Sequence, residues 1–390
     1  MAQIAPEPHR EGLYLHFPYC VVKCRYCDFN SHVEARPDTS RYLDAMLREA
    51  EMREVRAPRT VFFGGGTPSL VPAAELRRFL RELDARTGYR ASAEEFTVEA
   101  NPESLTAEFL EVALEGGVSR VSLGVQALDE PTLRFFGRAH DASRALDAIA
   151  IARRAGVPAL NIDLIQGAPV QTRADWEAGL ERILQERPEH LSAYDLLYEP
   201  GTALGTLHEK GKLEATDDRD RAASFLWNQR RLRAEGYRPY EVSAFARPGF
   251  ECRHNLIYWR NEPYVGLGAG AASYRQGFRS INAKEPRRYV SEVEATGRAT
   301  TSSERLRPLR RAAETLMMAL RLPEPVELAW LAARAGVGLE SELAKAWERL
   351  VAQRLALPPD SGRIALTRRG RRFLDLVVSR LLEATEAPRG

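Results

Sequence analysis

The 390-residue sequence is poor in cysteine. It has four, and three of them fall close together at positions 20, 24 and 27. That count and that clustering exclude the disulfide framework of a small secreted domain. Long hydrophobic runs are missing too: no stretch of roughly 18 uncharged apolar residues occurs, so no membrane-spanning helix is expected. The opening MAQIAPEPHREG lacks the apolar segment of a signal peptide, which points to a cytoplasmic protein. Nor is there a surplus of one charge. Fifty-six Lys+Arg against 54 Asp+Glu leave +2, without the basic footprint of a nucleic-acid binder. Repeats and low-complexity blocks are absent. What is present is an ordinary globular composition, 44% hydrophobic and 28% charged, over a length that calls for two or three domains.

Apolar runs at Gly12–Phe17, Thr60–Gly64, Glu95–Ala100, Arg120–Val125, Ala159–Ile165 and His190–Leu197 read as strands. Helical spacing lies between them, as in Ala73–Arg86 with Leu76, Phe79, Leu80 and Leu83. Pro37-Asp38-Thr39-Ser40 reads as a helix start, and Gly116-Gly117 and Gly156 as helix stops. Strands alternating with helices predict βαβ units and a parallel sheet, an open or closed α/β barrel with function at the strand C-termini. After about residue 200 the alternation fades. A helix is expected over Asp217–Glu235, a strand near Tyr240–Phe245, irregular or hairpin-like chain over Phe250–Ser280, and a helix over Glu304–Leu320. From Pro323 onward the order helix, helix, strand (Arg363–Leu366), helix (from Arg369) resembles a winged helix, a module that serves as a lid or packing unit as well as a DNA binder. The expected division is 1–200, 201–303 and 304–390.

The cysteines stand as C-x3-C-x2-C directly after the first strand: Cys20, Cys24 and Cys27. Three thiolates on one short loop can converge on one metal centre, and a cluster held by only three leaves a position open for chemistry. Two other readings of the spacing stand beside this one. The thiols could form a structural zinc site with His16, His32 or Cys252 as fourth ligand, or could simply be buried.

The motif, with the aromatic Tyr26 before its last cysteine, resembles the signature of the radical S-adenosylmethionine (SAM) superfamily. That resemblance implies a [4Fe–4S] cluster on the three thiolates, with SAM at the open iron. Gly64-Gly65-Gly66-Thr67-Pro68 after the second strand is similar to the segment that binds the methionine amino group. Successive strand ends then carry Glu99 (for an ammonium or ribose hydroxyl), Gln126 (ribose), Arg138 (a bidentate pair with the SAM carboxylate) and Asp163 (ribose).

Together these segments resemble the oxygen-independent coproporphyrinogen III oxidase-like family over nearly the whole chain. The resemblance implies an incomplete (β/α)6 barrel with a C-terminal helical, winged-helix-like domain. It also implies SAM contacts by Tyr14, Tyr26, Gly65, Gly66, Thr67, Glu99, Gln126, Arg138 and Asp163. The family holds an oxidase branch and a heme chaperone branch. The oxidase carries a fourth cysteine where this chain has Phe29, and a longer segment before the cluster. His254-Asn255-Leu-Ile-Tyr258-Trp259 is similar to the H-N-x-x-Y-W motif of the chaperone branch, which implies heme bound at His254 and passed to acceptor heme proteins of the respiratory chain, with homodimerisation and a heme donor as further partners. A neutral imidazole suits heme iron. Away from the family, the same stretch reads as a buried histidine among core aromatics, and Cys252 as an inert buried thiol. Gly167-Ala168-Pro169 departs from the family's Gly-Leu-Pro beside the Asp163 strand.

Overall fold

The computed structural model describes residues 11–275, 277–339 and 342–385, with the side chain of Asp218 set aside. The N-terminal segment read above as no leader lies almost wholly outside the described residues. Six parallel strands carry the first half: β1 (Gly12–Phe17), β2 (Thr60–Gly65), β3 (Glu95–Ala100), β4 (Arg120–Gln126), β5 (Ala159–Gln166) and β6 (His190–Asp195). Their alternation decides the architecture. One face of each strand is apolar: Leu13 and Leu15, Val61 and Phe63, Phe96 and Val98, Val121 and Leu123, Leu160 and Ile162, Leu191. These side chains join a single core with the crossover helices. The other face is mostly polar. It carries Thr97 and Glu99, Arg120 and Ser122, Asn161 and Asp163, His190 and Ser192, and it turns inward around a cavity. Barrels of this kind usually fill their interior with branched apolar side chains; this one keeps its interior for polar chemistry.

The local signals are those of the sequence. Asp38 caps helix Thr39–Met52 by accepting from the Arg41 N–H at 3.1 Å, and helix Ala107–Glu115 stops at Gly116. The main sheet runs beyond the six strands on both sides. On β6 lies the antiparallel pair β7 (Arg238–Pro239) and β8 (Ala244–Ala246). On β1 lies β9 (Tyr264–Leu267), parallel to it, then β10 (Ala272–Arg275), β11 (Phe278–Asn282) and β12 (Thr300–Arg305), antiparallel. The order is β12-β11-β10-β9-β1-β2-β3-β4-β5-β6-β8-β7. Among the described residues its two ends do not pair, so the barrel is open, an incomplete (β/α)6 unit as expected.

Three expectations are corrected. The strand expected near Tyr240–Phe245 is Ala244–Ala246, displaced because residues 240–243 turn to place Tyr240 on the interior. The stretch 250–280 holds the hairpin expected of it, β10–β11, but its first part is not irregular: it is helix Arg253–Trp259 and the parallel strand β9. The helix expected from Glu304 starts at Pro308, because the preceding residues are strand β12 and proline is suited to a first helical turn.

Residues 201–303 do not build a core of their own. Leu232, Tyr237, Phe245, Val265 and Tyr289 pack into the barrel's core. A second core gathers Ala312, Leu316, Leu331, Trp347, Leu350, Ile364 and Leu381. There the order is helix Leu328–Ala335, helix Glu342–Ala352, strand Arg363–Ile364 (paired with Val326–Glu327), then helices Arg368–Arg372 and Leu374–Glu383. No helix among the described residues is long and apolar enough to cross a membrane.

Candidate functional site

The three clustered cysteines lie on the loop after β1, partly exposed, and all three line the interior cavity of about 470 Å³. Two of the sulfurs receive polar hydrogens from elsewhere in the barrel, one from the turn after β2 and one from just beyond helix Glu130–Phe136. Thr67 Oγ1 donates to Cys20 Sγ at 3.3 Å, and Arg138 Nη1 donates to Cys24 Sγ at 3.3 Å. The third, Cys27, faces the Ser31 hydroxyl at 3.8 Å, and Lys23 Nζ holds that hydroxyl at 2.8 Å. Burial pushes the Cys20 and Cys27 thiols up, with hydrogen bonds from Thr67 and Ser31 pulling against it. Among the described residues no three His, Cys, Asp or Glu side chains are grouped to hold one metal ion. The candidate fourth ligands for zinc are engaged elsewhere: His16 with Asn30 O and the Tyr14 hydroxyl, His32 with Asn30 Oδ1, and Cys252 with Glu95. Three thiols on one loop, with donors already aimed at two of the sulfurs to offset thiolate charge, make a donor set that suits an iron–sulfur group.

The glycine run is explained by close approach. Strand β2 ends against the chain entering the cysteine loop. A Cβ on Gly66 would lie 2.6 Å from the Tyr19 carbonyl, one on Gly65 would lie 2.6 Å from the His16 ring, and one on Gly64 would lie 2.6 Å from Glu99 Oε2. Gly65 also has φ of 111°, open to glycine alone. Its N–H donates to Glu99 Oε2 at 2.9 Å. A Gly66→Ala variant meets backbone rather than a movable side chain, so a loss of about 1–3 kcal/mol is expected, read as a lower denaturant midpoint at unchanged slope.

The remaining residues converge on the cavity, with two exceptions. Glu99, Gln126, Arg138, Asp163 and Tyr26 all line the cavity. Gln126 sits at φ 69°, where the β4–β5 register shifts and Ala127 N–H bonds back to Val125 O, a tight three-residue turn that re-aims the side chain. Asp163 accepts from Ser122 and Asn161, at 3.0 and 2.7 Å. Arg138 is more committed than its expected role allows. Nη2 donates to Asn101 Oδ1 and Gly124 O, and Nη1 to Cys24 and the Tyr26 hydroxyl; Nε is buried without a partner among the described residues. Thr67 and Tyr14 are the exceptions, standing behind the cavity wall rather than lining it. Thr67 is buried between Cys20 and Asn101, and Tyr14 gives its hydroxyl to His16 Nδ1 at 2.9 Å. Asn101, which bonds both Arg138 and Thr67, was legible only as part of a motif; its role as the strut between two sulfur donors was not.

Burial pushes the Glu99 carboxyl up to about 7, with the Gly65 N–H pulling down and Asp163 pushing up. A carboxyl raised in the fold holds its proton there while the unfolded chain releases it. Glu99 therefore contributes fully below its ordinary value of 4.5, and that contribution is lost as pH rises through 7. Relative to Glu99→Gln, the wild type is expected to lose on the order of 2 kcal/mol between about pH 4.5 and pH 7, read from chemical unfolding.

His254 does not lie with these residues. It belongs to helix Arg253–Trp259, which closes the opposite, N-terminal end of the barrel interior. The helix start is tied down by Glu95, whose carboxylate accepts from the Arg253 and His254 N–H groups, each at 3.1 Å. The His254 ring is fully buried. Its Nδ1 pairs with Thr60 Oγ1 at 2.7 Å and its Nε2 with the Tyr258 hydroxyl at 2.9 Å. Burial pushes its pKa down to about 3, so the ring is neutral, and neither nitrogen is free. Its neighbours Cys252 and Asn255, not His254 itself, reach the cavity floor. Burial pushes the Cys252 thiol up to about 12, and that thiol donates to Glu95, a buried thiol as read.

A sequence model of the Radical SAM superfamily matches residues 14–183, and one of the HemN C-terminal domain matches residues 306–373. The heme chaperone HemW of Mycobacterium tuberculosis (strain ATCC 25618 / H37Rv) is 36% identical over 389 residues, 97% of each chain. That of Synechocystis is 37% identical, covering 82% of this chain and 79% of its own. A mitochondrial radical S-adenosyl methionine domain-containing protein 1 of Bos taurus is 35% identical, over 81% of this chain and 74% of its own. Among solved structures, coproporphyrinogen III oxidase (HemN) from Escherichia coli superposes with a TM-score of 0.81 over 97% of this chain and 91% of its own; at 23% identity this bears on the fold alone. Identities of 36–37% to proteins of that name, over 82% and 97% of this chain, mean that the chain belongs to the heme chaperone HemW family of the radical SAM superfamily.

Proposed function

We propose that this protein is a cytoplasmic heme chaperone. It binds heme, carries a [4Fe–4S] cluster completed by SAM, and hands the heme to acceptor proteins of the respiratory chain. The observation that carries the reading is the 36% identity over 97% of the chain to a protein named heme chaperone HemW. The cavity mouth supports it. Phe29, Tyr194 and Leu197 line the mouth and are exposed, a surface suited to a flat apolar macrocycle.

Cys20, Cys24 and Cys27 would hold the cluster, and when bound it would offer an open iron to the amino and carboxylate groups of SAM. The chain's own residues orient that ligand. Glu99 would accept from an ammonium, and Gln126 and Asp163 would take ribose hydroxyls. Arg138, with only Nε left unpaired, would give a carboxylate one bond rather than a bidentate pair. Thr67 and Arg138 would also steady the sulfurs. Heme ligation by His254 is part of this reading and carries a condition: the ring must leave Thr60 and Tyr258 to reach iron.

The test is a heme titration of anaerobically purified, cluster-loaded protein, followed in the Soret region, and then mixing with an apo heme protein. About one heme per chain, and its transfer to the acceptor, are expected. No heme binding would overturn the reading in favour of the oxidase, to be assayed as decarboxylation of coproporphyrinogen III.

A further inference from the structure

The cavity continues below the rim where the cysteines and the SAM-facing residues collect, and its floor holds two buried donor atoms without a partner among the described residues. Arg120 opens β4 and is 3% exposed. Its Nη1 donates to the Phe250 carbonyl at 3.0 Å, while Nη2 is buried without a partner. Thr97 lies directly opposite it across the β3–β4 ladder, 1% exposed, and its Oγ1 is likewise orphaned. Both residues line the cavity. Asp163, the nearby acid that feels the arginine's charge, is taken up by Ser122 and Asn161. His190 brings no second cation: its ring is held between Asn161 Oδ1 and the Tyr240 hydroxyl, and burial keeps it neutral. A buried guanidinium nitrogen without an acceptor is expensive, and so is a buried hydroxyl without a partner. Two such donors, carried by paired residues of neighbouring strands that line one cavity, suit the two oxygens of one carboxylate. Asp163 on the same wall disfavours a doubly charged anion such as phosphate.

We propose that Arg120 and Thr97 form a carboxylate-binding site at the floor of the barrel, separate from the rim residues. It takes one carboxylate of the ligand that fills the cavity. Its assignment to a propionate arm of a tetrapyrrole rests on the heme chaperone reading; a free small carboxylate presents the same chemistry.

The test uses the full-length, cluster-loaded protein as wild type, Arg120→Gln and Thr97→Val. Thr97→Val removes a hydroxyl that bonds nothing, so it keeps the fold even where Arg120→Gln loses the tie to Phe250. The first arm is thermal unfolding with sodium propionate against sodium chloride at equal ionic strength. Propionate is expected to raise the wild-type midpoint and to raise that of Thr97→Val, and of any folded Arg120→Gln, far less. The second arm titrates hemin and hemin dimethyl ester. Wild type is expected to prefer the free acid by roughly 10-fold to 100-fold, and each variant to lose most of that preference. A propionate effect without hemin binding supports the floor site and removes the heme reading. Hemin binding with no free-acid preference and no propionate effect overturns the floor site and leaves the heme reading intact. An ordered water as the only occupant gives no response in either arm and also overturns it.

Discussion

Replacing Cys24 with alanine is expected to abolish the proposed iron–sulfur cluster. Iron, acid-labile sulfide and brown colour are expected in the anaerobic wild type and at background in the variant. The expectation follows from the shortage of substitutes. Three thiols line the mouth of the cavity, and the fourth cysteine in the chain, Cys252, is at the floor, buried on Glu95. Position 29, two beyond Cys27, is an exposed phenylalanine. Two cysteines cannot hold a cubane that ordinarily takes at least three protein ligands. The fold does not depend on the lost sulfur: Cys24 is partly exposed, and its backbone carbonyl keeps the bond from Cys27 N–H at 3.2 Å. Stability without the cluster is therefore expected to change by less than about 1 kcal/mol between apo wild type and apo variant. Thr67→Val is the graded companion. It removes one O–H donor from Cys20 and the acceptor for Asn101, so the cluster is expected to assemble but to be lost faster to chelator. Full iron stoichiometry in Cys24→Ala, or zinc in place of iron in the wild type, would sink the cluster assignment.

The six core strands were legible to within a residue or two because each is both apolar and bounded by turn signals. What the apolar-run reading hid is that only one face of each strand is apolar. In Thr97, Arg120, Asn161 and His190 the polar residues sit inside the runs, and strict alternation places them in the interior rather than at solvent. A count of hydrophobic residues sees the core and misses the lined cavity. Long-range pairing was invisible for another reason. Tyr264–Leu267 pairs parallel with β1 across about 250 residues of chain, and nothing local in its sequence encodes that partner. The cysteine loop and the glycine run were readable because their chemistry is in the residue types. Arg138 was readable as a cavity cation, but not its attachment to Cys24, Asn101 and Gly124, which depends on how strand ends meet. The helix over residues 253–259 was missed because it is short and follows a glycine- and proline-containing turn. Its aromatic and polar residues lack a clean helical stripe, and packing against Glu95 and Thr60 supplies the order that propensity does not.

That helix bears on the last and largest stability effect. His254→Ala is expected to destabilise the protein by about 3–5 kcal/mol, independent of any heme. The substitution opens a cavity in a fully buried site and leaves the Thr60 and Tyr258 hydroxyls without their partner. The pH dependence identifies the cause. Burial holds the His254 pKa near 3, against 6.5 in the unfolded chain. The unfolded chain therefore takes up a proton between those values while the fold does not. The histidine's contribution is complete above about pH 6.5 and is lost as pH falls toward 3, and the alanine variant lacks that portion of the slope. Chemical unfolding at several pH values reads both quantities. Heme titration of the same variant, kept well below its unfolding midpoint, then separates structure from ligation. A ligand role predicts that His254→Ala loses heme affinity, while Tyr258→Phe, which frees Nε2, keeps it or gains. A purely structural role predicts that both folded variants bind heme as the wild type does. The second outcome would place the H-N-x-x-Y-W stretch as the plug of the barrel floor and leave the macrocycle to the cavity mouth, where Phe29, Tyr194 and Leu197 stand exposed.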